Sequence, residues 1–469
     1  MSLNSVLGAI LFAALAIRIA VALHLPSIEY PDEIFESLEP AHRLAFGYGV
    51  VTWEWIVGIR SWIFPGFLAG IMRATAWLGS GSRGYLAAVT VVLCLISLTS
   101  VWFGFAWCRK TSTEAAIIAA GACSIWMPLV YFAPRAFTEV VAGNLLLPGL
   151  YLGTCGKLES RRYLFFAGFF CGLAMSLRIQ LAPAAAFAVL YFCRSDWRRK
   201  APAVFAGFLL PILAFGLVDW FTWSYPFQTF IRNFWVNTIE GKSDSYGTFP
   251  WYWYARFLVE YLGPALPLSA LGVRRGPLLA WVILIIVGSH SLVPHKEARF
   301  LYPVIPLAMT LAALGIVEIA SLAGRYARIH LPSEAVVVFG LVLFAASSAF
   351  IARRFPRWSQ ASGGLIAMDQ LSSDKSLCGV GLYNISWAYT GGYTHLHRHV
   401  PIILALNQTE LEGESIGFNA LITTKSAISS MRLKPEICWN KTCLYRRPGP
   451  CIASSKYNEV NKMLRSGYQ

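Results

Sequence analysis

The sequence predicts a polytopic α-helical membrane protein with a small C-terminal soluble α/β domain. Three observations predict it. Only 13% of the 469 residues are charged while 56% are apolar; soluble domains carry about 25% charged residues. The apolar residues fall into about eleven runs, several of them long enough to cross a hydrocarbon core. Beyond the last run the composition turns polar and mixed. A chain this apolar needs lipid as its solvent.

The first run, Ser5 to Leu25, is long enough to span, starts without a basic residue and shows no clear cleavage site. It therefore reads as a retained helix rather than a signal peptide. The other runs have cores at Tyr85 to Trp107, Ala115 to Phe132, Val140 to Thr154, Tyr163 to Met175 and Leu181 to Cys193. Ala201 to Phe221, Leu262 to Val273, Leu278 to Gly288, Phe300 to Ala320 and Ala335 to Phe350 follow. The short ones fit re-entrant, broken or bundle-buried segments.

The net charge of +15 invites a nucleic-acid reading. The placement of the charges excludes it, because the basic residues sit in short clusters between apolar runs. With the N-terminus in the cytoplasm, alternate loops hold Arg109 and Lys110; Lys157, Arg161 and Arg162; Arg194, Arg198, Arg199 and Lys200; Arg274 and Arg275; Arg325 and Arg328. All fall on one side, as the positive-inside rule requires. The opposite side receives the first outer loop (residues 26–84), the stretch 222–261 and the tail. The domains expected are thus 1–351, membrane-embedded, and 352–469, soluble.

In the tail, Cys378 to Tyr383, Val400 to Leu406 and Ala420 to Thr423 read as strands between helix-like stretches. Cys378, Cys438, Cys443 and Cys451 lie there and allow two disulfides in an oxidising compartment. The membrane cysteines read as small buried hydrophobes. The triplets at Asn384, Asn407 and Asn440 are glycosylation acceptors only in a eukaryotic lumen. His395, His397 and His399 alternate as on a strand, which fits surface roles better than a metal site, and no metal is expected.

Chemistry concentrates in two outer segments. Asp32, Glu33, Glu36 and Glu39 cluster just after the first span in an acid-poor chain. Pro31 suits a helix start and acids suit its first turn; Pro40 would kink the helix. Glycosyl transfer needs a base for the acceptor hydroxyl. Asp32 is the candidate base, with Glu33 to orient the acceptor or share the proton; a solvated helix start would have the same spacing. Trp53 and Trp55, flanking Glu54, fit both an interfacial anchor and a platform for sugar rings. Arg60 and His42 complete the candidate acceptor or sugar contacts. Much later, His295, Lys296 and Arg299 form a cationic group at the mouth of a span. It fits the charge of a departing lipid phosphate and equally a snorkelling anchor. Arg135, Glu139, Arg178, Gln180, Arg232 and Lys242 share that face; any of them could reach a phosphate or a sugar, and individually each fits a structural role better. Arg18 and Glu318 are placed to pair inside the bundle.

In order, these pieces read P-D-E-x-x-x-S-L-E-x-x-H, F-x-Y-G-x-x-T-W-E-W, I-R-S and H-K-E-x-R-F-x-Y-P. The pattern resembles the glycosyltransferase family 22 mannosyltransferases of the membrane-embedded C superfamily, with the GPI-anchor enzymes the nearest group. The likeness is dense over Pro31 to Pro65 and His295 to Pro303. It extends into Gly391-Gly392-Tyr393-Thr394. The resemblance implies a GT-C fold and inverting transfer of mannose from a dolichyl or other polyprenyl phosphate to a glycolipid or lipid-linked glycan. It also implies catalysis at Asp32 and Glu33 and a second motif at His295, Lys296 and Glu297. The expected partners are that donor, that acceptor and membrane lipids, with no nucleic acid and no cofactor, since the lipid-phosphate sugar is a substrate. The expected location is the non-cytoplasmic face of an endoplasmic reticulum or bacterial inner membrane. Proton base and cationic group must then serve one aqueous vestibule. A lipid-glycan transporter and a non-catalytic assembly subunit are the competing readings.

Overall fold

The computed structural model describes residues 2–79, 81–155, 160–424, 435–454 and 456–467; Lys157 of the second basic cluster lies outside them. The chain forms two compact units, one of residues 1–22 with 91–355 and the other of 23–90 with 356–469. This division differs from a boundary at residue 351 because the first outer loop packs with the tail.

The described residues of the membrane unit form helices joined by turns and loops. Leu3–His24, Arg83–Cys108, Trp197–Thr222, Val304–Tyr326 and Ser333–Arg354 are long and apolar enough to cross a bilayer. The remaining expected runs also fall on helices, but shorter ones. Thr138–Leu152 has 15 residues and Arg161–Leu177 has 17; at 1.5 Å per residue these fall short of a core of about 30 Å.

The expected span from Ala115 to Phe132 is broken. Thr113–Ile125 stops, Trp126 is extended, and Met127–Phe132 follows. Pro128 has no N–H to continue the helical ladder. The groups freed at the break are satisfied from another helix. The Ser348 hydroxyl donates to the Ile125 carbonyl at 2.7 Å and accepts from the Met127 N–H at 2.8 Å. Such side-chain repair is what makes broken backbone tolerable at membrane depth.

Small residues set the helix spacing. Gly168 and Gly172 on Arg161–Leu177 meet the backbone of Trp197–Thr222, and Gly207 returns the contact. No side chain fits at these crossings, so the helices associate by backbone contact, as membrane helices do without a hydrophobic drive. The expected Arg18–Glu318 pair does not form. Arg18 is buried and donates to the carbonyls of Ala14 at 3.2 Å and Cys123 at 3.0 Å. Glu318 pairs with Arg275 instead.

The second unit contains a five-stranded mixed sheet. Strands β1 (Val380–Tyr383), β2 (Ile402–Ala405) and β3 (Ala420–Thr424) are parallel, with β1 central among them. A hairpin of β4 (Pro435–Trp439) and β5 (Thr442–Arg446) adds antiparallel to β3, giving the order β2-β1-β3-β5-β4. Ile403, Leu411, Phe418, Leu421 and Tyr445 form the core of one face. The four tail cysteines are paired, Cys378 with Cys451 and Cys438 with Cys443. The three histidines expected on a strand lie elsewhere. His395 is in the short helix Gly392–Leu396 and His397 ends it with positive φ.

Candidate active site

The acid cluster of the second unit begins where Pro31 accepts the first turn of a helix, from Ile34 at 2.9 Å and Phe35 at 3.0 Å. Residues Glu33–Leu38 then adopt π-helical winding before Glu39–Phe46 continues as α-helix. The widened turn precedes Pro40, whose ring and missing N–H cannot be accommodated by an ordinary α-turn. Asp32 opens this helix half-buried, and Glu33 is buried.

Around Asp32 the electrostatics are asymmetric. Glu36 is ion-paired with Arg60. The Glu54 carboxyl is held above the usual carboxylate range. Burial is the main cause; the Arg60 guanidinium and the Thr52 hydroxyl oppose it, and the charge of Asp32 adds to it. Two half-buried carboxyl groups thus sit within each other's field, and burial raises the proton affinity of Glu54. Such an arrangement separates the proton affinities of a pair and lets one act as base at neutral pH.

The aromatic candidates divide. Trp55 is buried, its indole N–H donates to the Phe35 carbonyl at 3.2 Å, and its ring lies 4.4 Å from that of Trp62. It therefore braces the acid helix from behind. Trp53 is half-buried. His42 does not suit a sugar contact. It is fully buried and both ring nitrogens are engaged, with the Tyr48 carbonyl and with His397 Nδ1, each at 3.0 Å. Burial pushes its pKa down to about 3, so it is neutral at any physiological pH.

Glu39, two turns after Asp32, is wholly buried and accepts four hydrogen bonds. The donors are the N–H groups of Val50 (2.7 Å), Tyr393 (3.0 Å) and Thr394 (2.8 Å), and the Thr394 hydroxyl (2.6 Å). The Gly391-Gly392 pair makes this possible. Both have positive φ, and a Cβ on Gly392 would collide with the Glu39 carboxylate. Further ties bind the same loop to the tail. Arg357 pairs with Glu29, the rings of Phe35 and Trp387 meet at 4.7 Å, and Asn461 bonds Val51 and Gly49 at 3.1 Å each.

The cationic group belongs to the membrane unit. Arg299 is buried between two acids. It pairs with Glu297 and, at 3.2 Å, with Glu139. Glu139 also faces Arg178 at 3.7 Å. The Phe300 ring lies under both guanidiniums, 4.8 Å from Arg178 and 5.3 Å from Arg299. His295 bonds Glu297 at 3.1 Å, which together with the Gly247 carbonyl raises its proton affinity against burial. Lys296 departs from the expected phosphate role. It is 3% exposed, and its ammonium donates to the carbonyls of Phe249 at 3.1 Å and of Val293 and Pro294. Its charge is spent closing the loop. Arg178 joins the cluster in its place, so Arg178 and Arg299 are the guanidiniums that Glu139 orients. Sequence spacing could not join residues so far apart. The available signal was an acid, Glu139, beginning an apolar helix, where a carboxylate is costly without a partner.

The apolar helices of the membrane unit and the small mixed sheet of the second unit define a GT-C fold. A known structure bears this out: ArnT from Cupriavidus metallidurans, solved bound to undecaprenyl phosphate, superposes with a TM-score of 0.62 at 12% identity, covering 93% of this chain and 97% of that one. The chain belongs to the Alg9-like mannosyltransferase family, whose model matches residues 9–389. GPI mannosyltransferase 3 of Yarrowia lipolytica is 28% identical over 417 residues, 84% of this chain and 76% of that protein. GPI mannosyltransferase 3 of Drosophila melanogaster is 28% identical over 63% of this chain, and GPI alpha-1,2-mannosyltransferase 3 of Danio rerio 27% over 62%. These matches span 54% and 56% of the fly and zebrafish proteins, little more than half their length.

Proposed function

We propose that this integral membrane protein moves mannose from a polyprenyl-phosphate donor, dolichyl phosphate in a eukaryote, to a glycolipid or lipid-linked glycan such as a GPI core. Asp32 accepts the proton of the acceptor hydroxyl as its oxygen attacks the sugar's anomeric carbon. The bond from that carbon to the phosphate oxygen breaks on the opposite face, giving inversion and an α-mannoside. The leaving polyprenyl phosphate carries away the electron pair, and Arg299 with Arg178 offsets its charge. Planar guanidiniums suit this task because they bind phosphate oxygens in pairs. No cofactor enters, because the donor's phosphate is itself the leaving group.

The observation that carries the reading is the half-buried Asp32 at the start of the acid helix, in the field of Glu54, whose carboxyl is held above the usual range by burial. The paired tail cysteines support a non-cytoplasmic active face, since disulfides persist in oxidising compartments. Endoplasmic reticulum or bacterial inner membrane both satisfy this. The test is transfer of radiolabelled mannose from polyprenyl-phosphate mannose to a panel of glycolipids by the purified protein. An α-mannosylated glycolipid is expected; no product with any acceptor contradicts the proposal.

A further inference from the structure

Beside the acid helix lies a second titratable cluster that the transfer chemistry above does not use. Asp369, on the helix Ser362–Leu371, accepts from His395 Nδ1 at 2.9 Å and from the Ser82 hydroxyl at 2.9 Å, on the same carboxylate oxygen. Ser82 is buried and the imidazole is 14% exposed. A carboxylate so placed fixes the ring's Nδ1–H form and leaves Nε2 as the nitrogen that titrates.

The short helix that carries His395 is not adrift in the tail. Gly392–Leu396 packs directly on Glu33–Leu38 and on Glu39–Phe46. Its Thr394 is fastened to Glu39, and the Tyr85 hydroxyl donates to the Thr394 carbonyl. The charged groups that act on the imidazole are Asp369 on one side and Glu33 and Glu39 of the acid helix on the other. His42 also lies near but is neutral. Burial alone would strip the proton from His395; the three carboxylates outweigh burial and hold it.

We infer that His395, aligned by Asp369 and carried by a helix packed on Glu33–Leu38, is a positioning residue for the acid pair: it holds Glu33 in place to accept a hydrogen bond from the incoming acceptor. The inference rests on the mannosyl-transfer reading. It makes the tail part of the catalytic apparatus. It also gives the pH–rate profile an alkaline limb, because loss of the His395 proton removes the positive charge that holds the Glu33 carboxylate in place.

The test compares the full-length protein with His395→Gln, Asp369→Asn and Asp369→Glu in nanodiscs, measuring kcat, KM for polyprenyl-phosphate mannose, pH dependence and melting temperature. His395→Gln should lower kcat about tenfold, in the range of a lost charge contact, leave the donor KM within about twofold, and abolish the alkaline limb. Asp369→Asn removes the charge that raises the imidazole, so the limb should move toward acid by about one pH unit. Asp369→Glu should return it toward the wild-type position. An active wild type whose variants keep the wild-type pH profile overturns the positioning role alone, whether or not their melting temperatures fall. A wild type that transfers nothing from this donor overturns the transfer reading and this inference with it.

Discussion

The acid loop and the cationic mouth both bury charge, but they solve the problem in opposite ways. Glu39 makes no ion pair among the described residues; four hydrogen bonds from Val50, Tyr393 and Thr394 replace its water. Arg299, Arg178, Glu139 and Glu297 instead compensate one another as a chain of ion pairs. Backbone donors are fixed once the fold forms, so the acid loop is rigid before any substrate arrives. Ion pairs can exchange a carboxylate for a phosphate, so the cationic mouth can respond to a ligand. The first arrangement suits a base that must be aimed, and the second a site that must take up a negative charge and release it.

The largest effect is expected at Asp32. Asp32→Asn removes the proposed base and should lower transfer by about a thousandfold, within the span of general-base contributions. Arg299→Met leaves the buried Glu139 and the half-buried Glu297 without their shared cation. It should raise the donor KM about a hundredfold, as two lost charge-assisted bonds imply, and cost roughly 3 kcal/mol in denaturation, as half of a buried pair does. Glu39→Ala strands the donors of Val50, Tyr393 and Thr394. A loss of about 2 kcal/mol is expected, typical of unsatisfied buried groups, visible as a lower melting temperature with activity falling in step. Lys296→Met sharpens the contrast within the cationic mouth. It should lower the melting temperature while keeping the donor KM within about threefold, since its ammonium serves carbonyls and not the phosphate.

The smallest effect is a pH dependence of stability. The folded pKa of His42 lies at about 3, below its unfolded value. The unfolded chain therefore binds more protons below about pH 6.5, and stability falls as the pH drops through that range. At pH 5 the loss should be about 2 kcal/mol. His42→Gln should flatten that slope in acid unfolding curves.

Much of the architecture was legible because it rests on local pattern. Apolar runs mark the helices whether they cross or stop short, and β-type runs mark β1, β2 and β3. The break at Trp126 hides within an apolar run, where Pro128 is its single trace. The acid cluster was legible because four of its members lie within eight residues, Asp32 to Glu39. The partners that aim it were not. Glu39 meets Thr394 across 355 positions of sequence, and Asp369 carries no local signal at all. Spacing also misled where neighbours in sequence part in space. His295, Lys296 and Arg299 read as one basic group, yet Lys296 turns into backbone carbonyls while Arg299 turns to Glu139. His42, grouped by sequence with the sugar contacts, sits among Phe46, Tyr48 and His397 instead.

Asp32 is the proposed proton acceptor in mannosyl transfer. The most direct measurement is single-turnover transfer from radiolabelled polyprenyl-phosphate mannose by wild type and Asp32→Asn, with donor binding measured in parallel on the same preparations. The expected result is donor affinity within about twofold and transfer reduced by about three orders of magnitude, the signature of a lost general base. An Asp32→Asn protein that transfers mannose at the wild-type rate would contradict it.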